Sequence, residues 1–226
     1  PDVGAGHHSH TITGGPHTKF GIYYNKSEEV LEIANKYNLK IIGIHCHIGS
    51  GILDADKFME AVEIVLSSAK SYEHLKFVDF GGGIGIPYKE SDNAIDVKDF
   101  GEKISNRFEE FCKQRNEDLT LCLEPGRYII AEAGNLLATV NNVKTTPAHK
   151  FVGINTGFNH LIRPMVYGSY HQIENGTNFS GKREEIVVAG NICESGDVFT
   201  QSEEGIEDRM IQEVRDGDIL VIKNAG

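Results

Sequence analysis

Residues 75–87 read LKFVDFGGGIGIP, an apolar run that passes directly into a cluster of glycines. The run over residues 75–80 predicts a strand, and the glycines predict a tight turn at its carboxyl end. Helices are predicted on both sides, over about residues 54–71 and 97–115, because apolar residues recur there about one turn apart. These residues are Phe58, Val62, Val65, Leu66 and Ala69 in the first helix and Phe100, Ile104, Phe108 and Phe111 in the second. A strand between two such helices is typical of an α/β sheet.

The same alternation extends outward in both directions. Ser27 predicts the N-cap of a further helix, and residues 40–47 and 119–124 predict two more strands. Residues 27–127 therefore alternate α-β-α-β-α-β, and their apolar strands indicate a parallel sheet covered on both faces. Since a complete (β/α)8 barrel has about 250 residues, only about three or four of its units are expected here.

The pattern changes after residue 135. Asp216 and Gly217 give a hairpin-type turn signal. Short strands with no comparable helical crossover are predicted over residues 136–143, 151–155, 185–189 and 218–222. We therefore predict part of a (β/α)8 barrel in residues 1–135 and part of a mostly β C-terminal domain in residues 136–226, a fold class of α/β plus β.

Charge and composition argue against several classes of binding partner. The 226 residues include 22 basic and 33 acidic side chains, and this net charge of −11 argues against a nucleic-acid or anionic-membrane partner held by charge. No apolar run approaches the roughly 18 residues of a membrane span. The four cysteines form no CxxC pair, which is typical of a reduced, cytoplasmic protein. The chain begins at Pro1 and ends just after the apolar run 219–222, so we expect the parent protein to continue.

Three predicted strand ends carry residues that suit chemistry. In residues 45–51, HCHIGSG, His45 and His47 point to the same side of the strand, as satisfied core groups or as metal ligands. No acidic residue stands at ligand spacing, so we predict no metal site. The glycines at 81–83 either cradle a phosphate with their backbone N–H groups or serve packing only. In residues 124–127, EPGR, a carboxylate beside an arginine could hold a protonated ring nitrogen or a cationic substrate, or form a plain ion pair.

The β part carries two further clusters. Arg163 precedes Tyr167 by four residues, and an arginine that recognises carboxylates bidentately suits an acidic substrate. Cys193 stands beside Glu194 and near Asp197. A thiol among carboxylates has little thiolate character, so Cys193 is either a proton donor or a buried structural cysteine.

Taken in order, these segments are similar to the fold-type III, alanine-racemase-like decarboxylases that use pyridoxal 5'-phosphate (PLP). The segments are HCHIGSG (45–51), GGG (81–83), EPGR (124–127), RPMVYGSYH (163–171) and CESGDVF (193–199), with TGG (13–15) and KFG (19–21) also fitting. The resemblance covers nearly the whole chain and implies the C-terminal part of a PLP-binding (β/α)8 barrel followed by a β domain. The activity it implies for the parent protein is decarboxylation of meso-2,6-diaminopimelate to L-lysine and CO2, a step of lysine biosynthesis.

The resemblance also implies roles for individual residues. His47 would stack on the PLP ring, and Glu124 would pair with its protonated nitrogen. The phosphate would be bound by Ser50, Gly82 and Gly83 with the turn of Pro125, Gly126 and Arg127. Arg127, Arg163 and Tyr167 would hold a carboxylate of the substrate. Glu194 would hold the distal amino group of the substrate. Cys193 would protonate the α-carbon, in the active site of the partner subunit, so a homodimer is implied.

Several alternatives stay open at this point. In the family the lysine that binds PLP covalently lies on the first barrel strand, and no lysine of this chain matches it, so we expect the chain alone to be inactive. The family's tyrosine after the last strand would fall beyond Gly226. Residues 155–160 depart from the pattern of the diaminopimelate enzymes, so a related decarboxylase of another amino acid is an alternative. Others are a non-catalytic homologue that binds a partner and, more distantly, a metal-dependent hydrolase.

Overall fold

The structure is a computed structural model that describes all 226 residues. The chain divides into two compact units. Unit 1 comprises residues 1–87 and 93–129, and unit 2 comprises residues 88–92 and 130–226. The predicted domain boundary between residues 135 and 136 stays a prediction. No helix is both long enough and apolar enough to cross a membrane.

Unit 1 contains a parallel sheet with the predicted alternation of helices and strands. The sheet has the order β1-β2-β3 and brings His45, Asp79 and Cys122 side by side at its carboxyl edge. The elements are α1 (Ser27–Lys36), β1 (Gly43–His45), α2 (Ala55–Ala69), β2 (Phe77–Asp79), α3 (Val97–Arg115), β3 (Thr120–Cys122) and the short α4 (Gly126–Ile130). Three parallel strands with intervening helices agree with the predicted part of a barrel.

The two long helices follow from local capping and from their apolar faces. Asp54 caps α2 by accepting hydrogen bonds from the backbone N–H groups of Asp56 and Lys57, and Asp96 caps α3 in the same way. The apolar residues predicted for both faces are buried in one core. Ser27 is not an N-cap as predicted, because it already lies inside α1, where its hydroxyl bonds the carbonyl of Tyr24.

The strands of unit 1 are shorter than predicted. Beyond β1 the chain turns away at Gly49 and Gly51, whose positive φ angles of 153° and 76° end the extended conformation. The Ile48 carbonyl accepts hydrogen bonds from the amino-terminal segment instead of from a strand. The prediction of a strand over residues 40–47 is wrong in length, because only residues 43–45 pair with β2 and form β1.

Unit 2 is mostly β, as predicted. Its six-stranded sheet has the order β10-β7-β5-β4-β11-β6, in which only β5 and β7 are parallel. In chain order the elements are β4 (Asn135–Thr145), β5 (Lys150–Ile154), α5 (Arg163–Tyr167), β6 (Ile173–Asn175), β7 (Arg183–Ala189), β8 (Gln201–Ser202), β9 (Gly205–Ile206), β10 (Arg209–Gln212) and β11 (Ile219–Lys223). Strands β8 and β9 form a separate two-stranded hairpin.

The turn at Asp216 and Gly217 forms, but it does not make a hairpin. Gly217 has φ +87°, and Asp218 N–H donates to the Arg215 carbonyl at 3.1 Å, as expected for a tight turn. The strands on either side, β10 and β11, are not neighbours, because β11 pairs with β4 and β6. A local turn signal therefore identified the reversal of the chain but not the strand pairing.

Candidate functional site

The carboxyl ends of β1, β2 and β3 bring a histidine and two carboxylates together. His45 Nε2 lies 3.2 Å from Glu124 Oε2, and one ligand atom from each of His45, Asp79 and Glu124 lies within 4.8 Å of the others. The alternative of a satisfied core histidine is wrong for His45, and its acidic neighbours come from distant strands rather than from residues at ligand spacing in the sequence. His45 and Glu124 have side chains that are 49% and 54% exposed. The absence of a metal site stays a prediction.

The glycine turn after β2 packs between the other two strand ends. Gly81 and Gly83 have positive φ angles of 68° and 101°, which glycine adopts without strain. A Cβ added to Gly82 would lie 2.0 Å from the carbonyl oxygen of Glu124. Gly82 N–H donates to His47 Nδ1 at 3.2 Å, which fixes the plane of the imidazole and leaves Nε2 as the protonated nitrogen of the neutral ring.

A group of donors suited to an anion lies at the same edge. Arg127 Nη2 donates to the Ser50 hydroxyl at 2.8 Å, and a Cβ added to Gly51 would lie 3.1 Å from Arg127 Nη1. Gly83 packs closely against the loop of residues 49–51, since a Cβ added to Gly83 would lie 2.3 Å from the Gly49 carbonyl oxygen. A guanidinium, a hydroxyl and side-chain-free backbone together provide what a phosphate group binds.

Pro125 and Gly126 connect the carboxylate to the arginine of this group. The Gly126 N–H donates to the carbonyl oxygen of Glu124 at 2.8 Å, and Glu124 N–H donates to the Gly81 carbonyl at 2.9 Å. A cavity of about 610 Å³, with His45 and His47 in its lining, opens beside this edge. Unit 1 thus brings together every residue that was predicted to bind the cofactor.

In unit 2 the predicted substrate residues Arg163 and Tyr167 lie at the two ends of α5. The Arg163 guanidinium carbon is 5.9 Å from the centroid of the Tyr167 ring and 5.5 Å from that of Tyr88. Arg163 Nη2 also donates to the Ser169 hydroxyl at 3.1 Å, and Tyr88 makes an edge contact with the His171 ring. The sequence analysis missed Tyr88, which is 75 residues from Arg163 and belongs to no recognised motif.

Cys193 and Glu194 lie on an exposed loop of unit 2. The alternative of a buried structural cysteine is therefore wrong. The buried carboxylate of Asp197 holds this loop, since it accepts hydrogen bonds from the N–H groups of Phe158 at 2.7 Å and Ile192 at 2.8 Å. A Cβ added to Gly196 would make an ordinary contact, 3.4 Å, with a side chain of α5, so the loop packs on the helix that carries Arg163.

Two family models match the chain in succession. The model described as the pyridoxal binding domain of pyridoxal-dependent decarboxylases matches residues 1–131. The model described as the C-terminal sheet domain of the same decarboxylases matches residues 127–226. Together the two models cover the whole chain.

Individual relatives match over the full chain as well. The diaminopimelate decarboxylase of Methanothermobacter thermautotrophicus is 43% identical over an alignment of 233 positions, which covers 100% of this chain and 53% of that protein. One crystal structure of a diaminopimelate decarboxylase has a TM-score of 0.92 at 35% identity, and that of the Helicobacter pylori enzyme complexed with L-lysine has 0.86 at 33%. Both structures match 100% of this chain, which covers 55% and 54% of theirs. The chain spans about half the length of the relatives it matches.

Proposed function

Because the chain belongs to the pyridoxal-dependent decarboxylase family, we propose that it supplies the cofactor-binding strand ends and the β domain of a diaminopimelate decarboxylase. Residues 1–135 are part of the PLP-binding barrel in this proposal, and residues 136–226 are part of the C-terminal domain. The longer protein converts meso-2,6-diaminopimelate to L-lysine and CO2. The convergence of Ser50 and Arg127 with the glycine turn, beside the Glu124 carboxylate, carries the proposal.

The residues of unit 1 fit the phosphate of PLP. Arg127 supplies positive charge and several N–H donors. Its hydrogen bond to Ser50 keeps the guanidinium and the hydroxyl next to each other, so that one phosphate could contact both. At Gly82 and Gly83 an added Cβ would overlap the carbonyl oxygens of Glu124 and Gly49, so only glycine lets the turn lie against the two loops that carry Arg127 and Ser50. These residues, with the turn through Pro125 and Gly126, would hold the phosphate.

The same edge fits the ring of PLP. Glu124, half-exposed and close to the Asp79 carboxylate, favours a cation and would therefore bind the protonated ring nitrogen. His47, whose plane is fixed by Gly82, would stack on the ring face. When bound, PLP supplies an electron sink for the electron pair that departing CO2 leaves on the α-carbon.

Unit 2 would supply the substrate contacts. Arg163, held between the rings of Tyr88 and Tyr167, would bind a carboxylate of the substrate. The exposed Glu194 would bind the distal amino group, and the exposed Cys193 thiol would deliver a proton to the α-carbon. A substrate with a distal carboxylate is favoured over ornithine because a guanidinium recognises a carboxylate through paired N–H donors.

The setting of the enzyme is part of the proposal. It is a cytoplasmic homodimer whose active sites are shared between subunits, with Cys193 serving the site of the partner. The net charge of −11 supports a small-molecule substrate rather than a nucleic acid or a membrane surface. The lysine that binds PLP covalently lies outside these 226 residues, so the chain alone is inactive.

The test uses the full-length protein that carries this chain. We expect it to retain PLP after dialysis and to release CO2 from meso-2,6-diaminopimelate with formation of L-lysine. Cys193→Ala should lower kcat by about 100-fold or more, as expected for loss of a general acid, and leave PLP binding intact. Cys112→Ala, a substitution on α3 outside the site, is the matched control and should leave kcat unchanged. Failure to retain PLP, absence of turnover, or preference for another amino acid would contradict the proposal.

A further inference from the structure

His45 is the one histidine at the carboxyl edge of the sheet for which the proposed function gives no role. Its Nε2 lies 3.2 Å from Glu124 Oε2, across the intervening strand β2. An ionised carboxylate accepts hydrogen bonds and donates none, so the imidazole is the donor and carries a proton on Nε2. One oxygen of the carboxylate that would face the ring nitrogen of PLP is thus already engaged by the protein.

Asp79 explains why Glu124 needs such a donor. Its carboxylate lies on β2 between the two residues, within the same 4.8 Å group of ligand atoms. The Gly81 N–H donates to Asp79 Oδ1 at 2.8 Å and holds this carboxylate at the glycine turn. Two carboxylates at this separation repel each other, so Glu124 without the His45 donor would turn away from Asp79.

We propose that His45 is a positioning residue, which orients the Glu124 carboxylate so that its second oxygen receives the protonated ring nitrogen of PLP. The inference rests on the proposed function, because it assumes that Glu124 binds this nitrogen. His45 itself does not touch the cofactor in this arrangement. The hydrogen bond from His45 holds one oxygen of Glu124 and thereby restricts the rotamer of this carboxylate.

The test compares two substitutions of His45 in the full-length protein. His45→Gln retains an N–H donor at the end of a side chain of similar reach, and His45→Phe retains a ring but no donor. We expect His45→Phe to weaken PLP binding by about threefold to tenfold, the range for one half-exposed hydrogen bond to a charged group. His45→Gln should bind PLP within about twofold of the wild type. Equilibrium titration by cofactor absorbance measures both.

An analogue of PLP with carbon in place of the ring nitrogen separates positioning from packing. Without the nitrogen, Glu124 has nothing to bind, so His45→Phe and the wild type should bind the analogue equally. His45→Phe should likewise have no additional effect in a Glu124→Gln background, because the interaction that it supports is already lost. Urea unfolding of each variant checks that the fold is retained.

Three results would overturn the inference: unchanged PLP binding by His45→Phe, equal weakening for PLP and the analogue, or failure of His45→Gln to restore binding. These differ from failure of the proposed function, in which the wild-type protein itself does not bind PLP.

Discussion

Glycine-to-alanine substitutions at Gly82, in the turn after β2, and at Gly101, in α3, should change the stability of unit 1 in opposite directions. Gly82→Ala places a Cβ 2.0 Å from the Glu124 carbonyl oxygen, and ordinary contact begins at 3.4 Å. The two backbones must therefore separate by about 1.4 Å, the difference between these distances. Because both groups are backbone and cannot change rotamer, we expect a loss of about 2–3 kcal/mol in the free energy of unfolding, the upper range for overpacking.

Gly101→Ala is the matched control. Gly101 lies inside α3, and an added Cβ there meets nothing within 4 Å. Alanine loses less backbone entropy than glycine when a helix forms, so this variant should gain about 0.5–1 kcal/mol. Urea unfolding of the full-length protein measures both values. The separation at Gly82 also displaces the strand end that carries Glu124, so PLP binding should weaken in Gly82→Ala and stay unchanged in Gly101→Ala. Equal or greater stability of Gly82→Ala would refute the close approach of the two backbones.

The remaining predictions concern unit 2 and the buried thiol. Tyr88→Leu removes a ring that packs on the Arg163 guanidinium, and in steady-state assays it should raise KM for the substrate several-fold with a smaller effect on kcat. Asp197→Ala leaves two backbone N–H groups of the Cys193 loop without their buried acceptor, and urea unfolding should show a loss of about 3 kcal/mol. Burial raises the pKa of the Cys46 thiol from 9.0 to about 11, so the stability that Cys46 contributes is complete below pH 9.0 and is lost as the pH rises through about 11. Cys46→Ala should therefore lose less stability than the wild type between these two pH values, and equal losses would contradict the burial of this thiol.

The sequence predicts helices best where apolar periodicity and capping agree. The bounds of α3 are those predicted, because Asp96 caps its start and four phenylalanine and isoleucine residues form one face. The strands of unit 1 were predicted too long, since an apolar run does not reveal where its pairing partner ends, whereas β4 and β7 of unit 2 are longer than predicted. The hairpin predicted at Gly217 was wrong because β11 pairs with β4, about 80 residues earlier, and with β6 rather than with β10.

The family, the two-part fold class and PLP as the family's cofactor are confirmed by the family models and the relatives. The roles of individual site residues stay predictions. Contacts between distant segments were beyond the sequence analysis, since the pair of His45 and Glu124 spans 79 residues and no local spacing predicts it. Asp197 was seen only as a neighbour of Cys193, and its burial, which makes it the anchor of the loop, is a property of the folded chain.

A crystal structure of the full-length protein with PLP tests most directly the claim that the strand ends of unit 1 form the cofactor site. We expect the phosphate within about 3 Å of the Ser50 hydroxyl and the Arg127 guanidinium, a normal hydrogen-bond distance. The ring nitrogen should face the Glu124 carboxylate, with the His47 imidazole against the ring. A phosphate bound elsewhere, or a ring nitrogen that faces away from Glu124, would contradict the account.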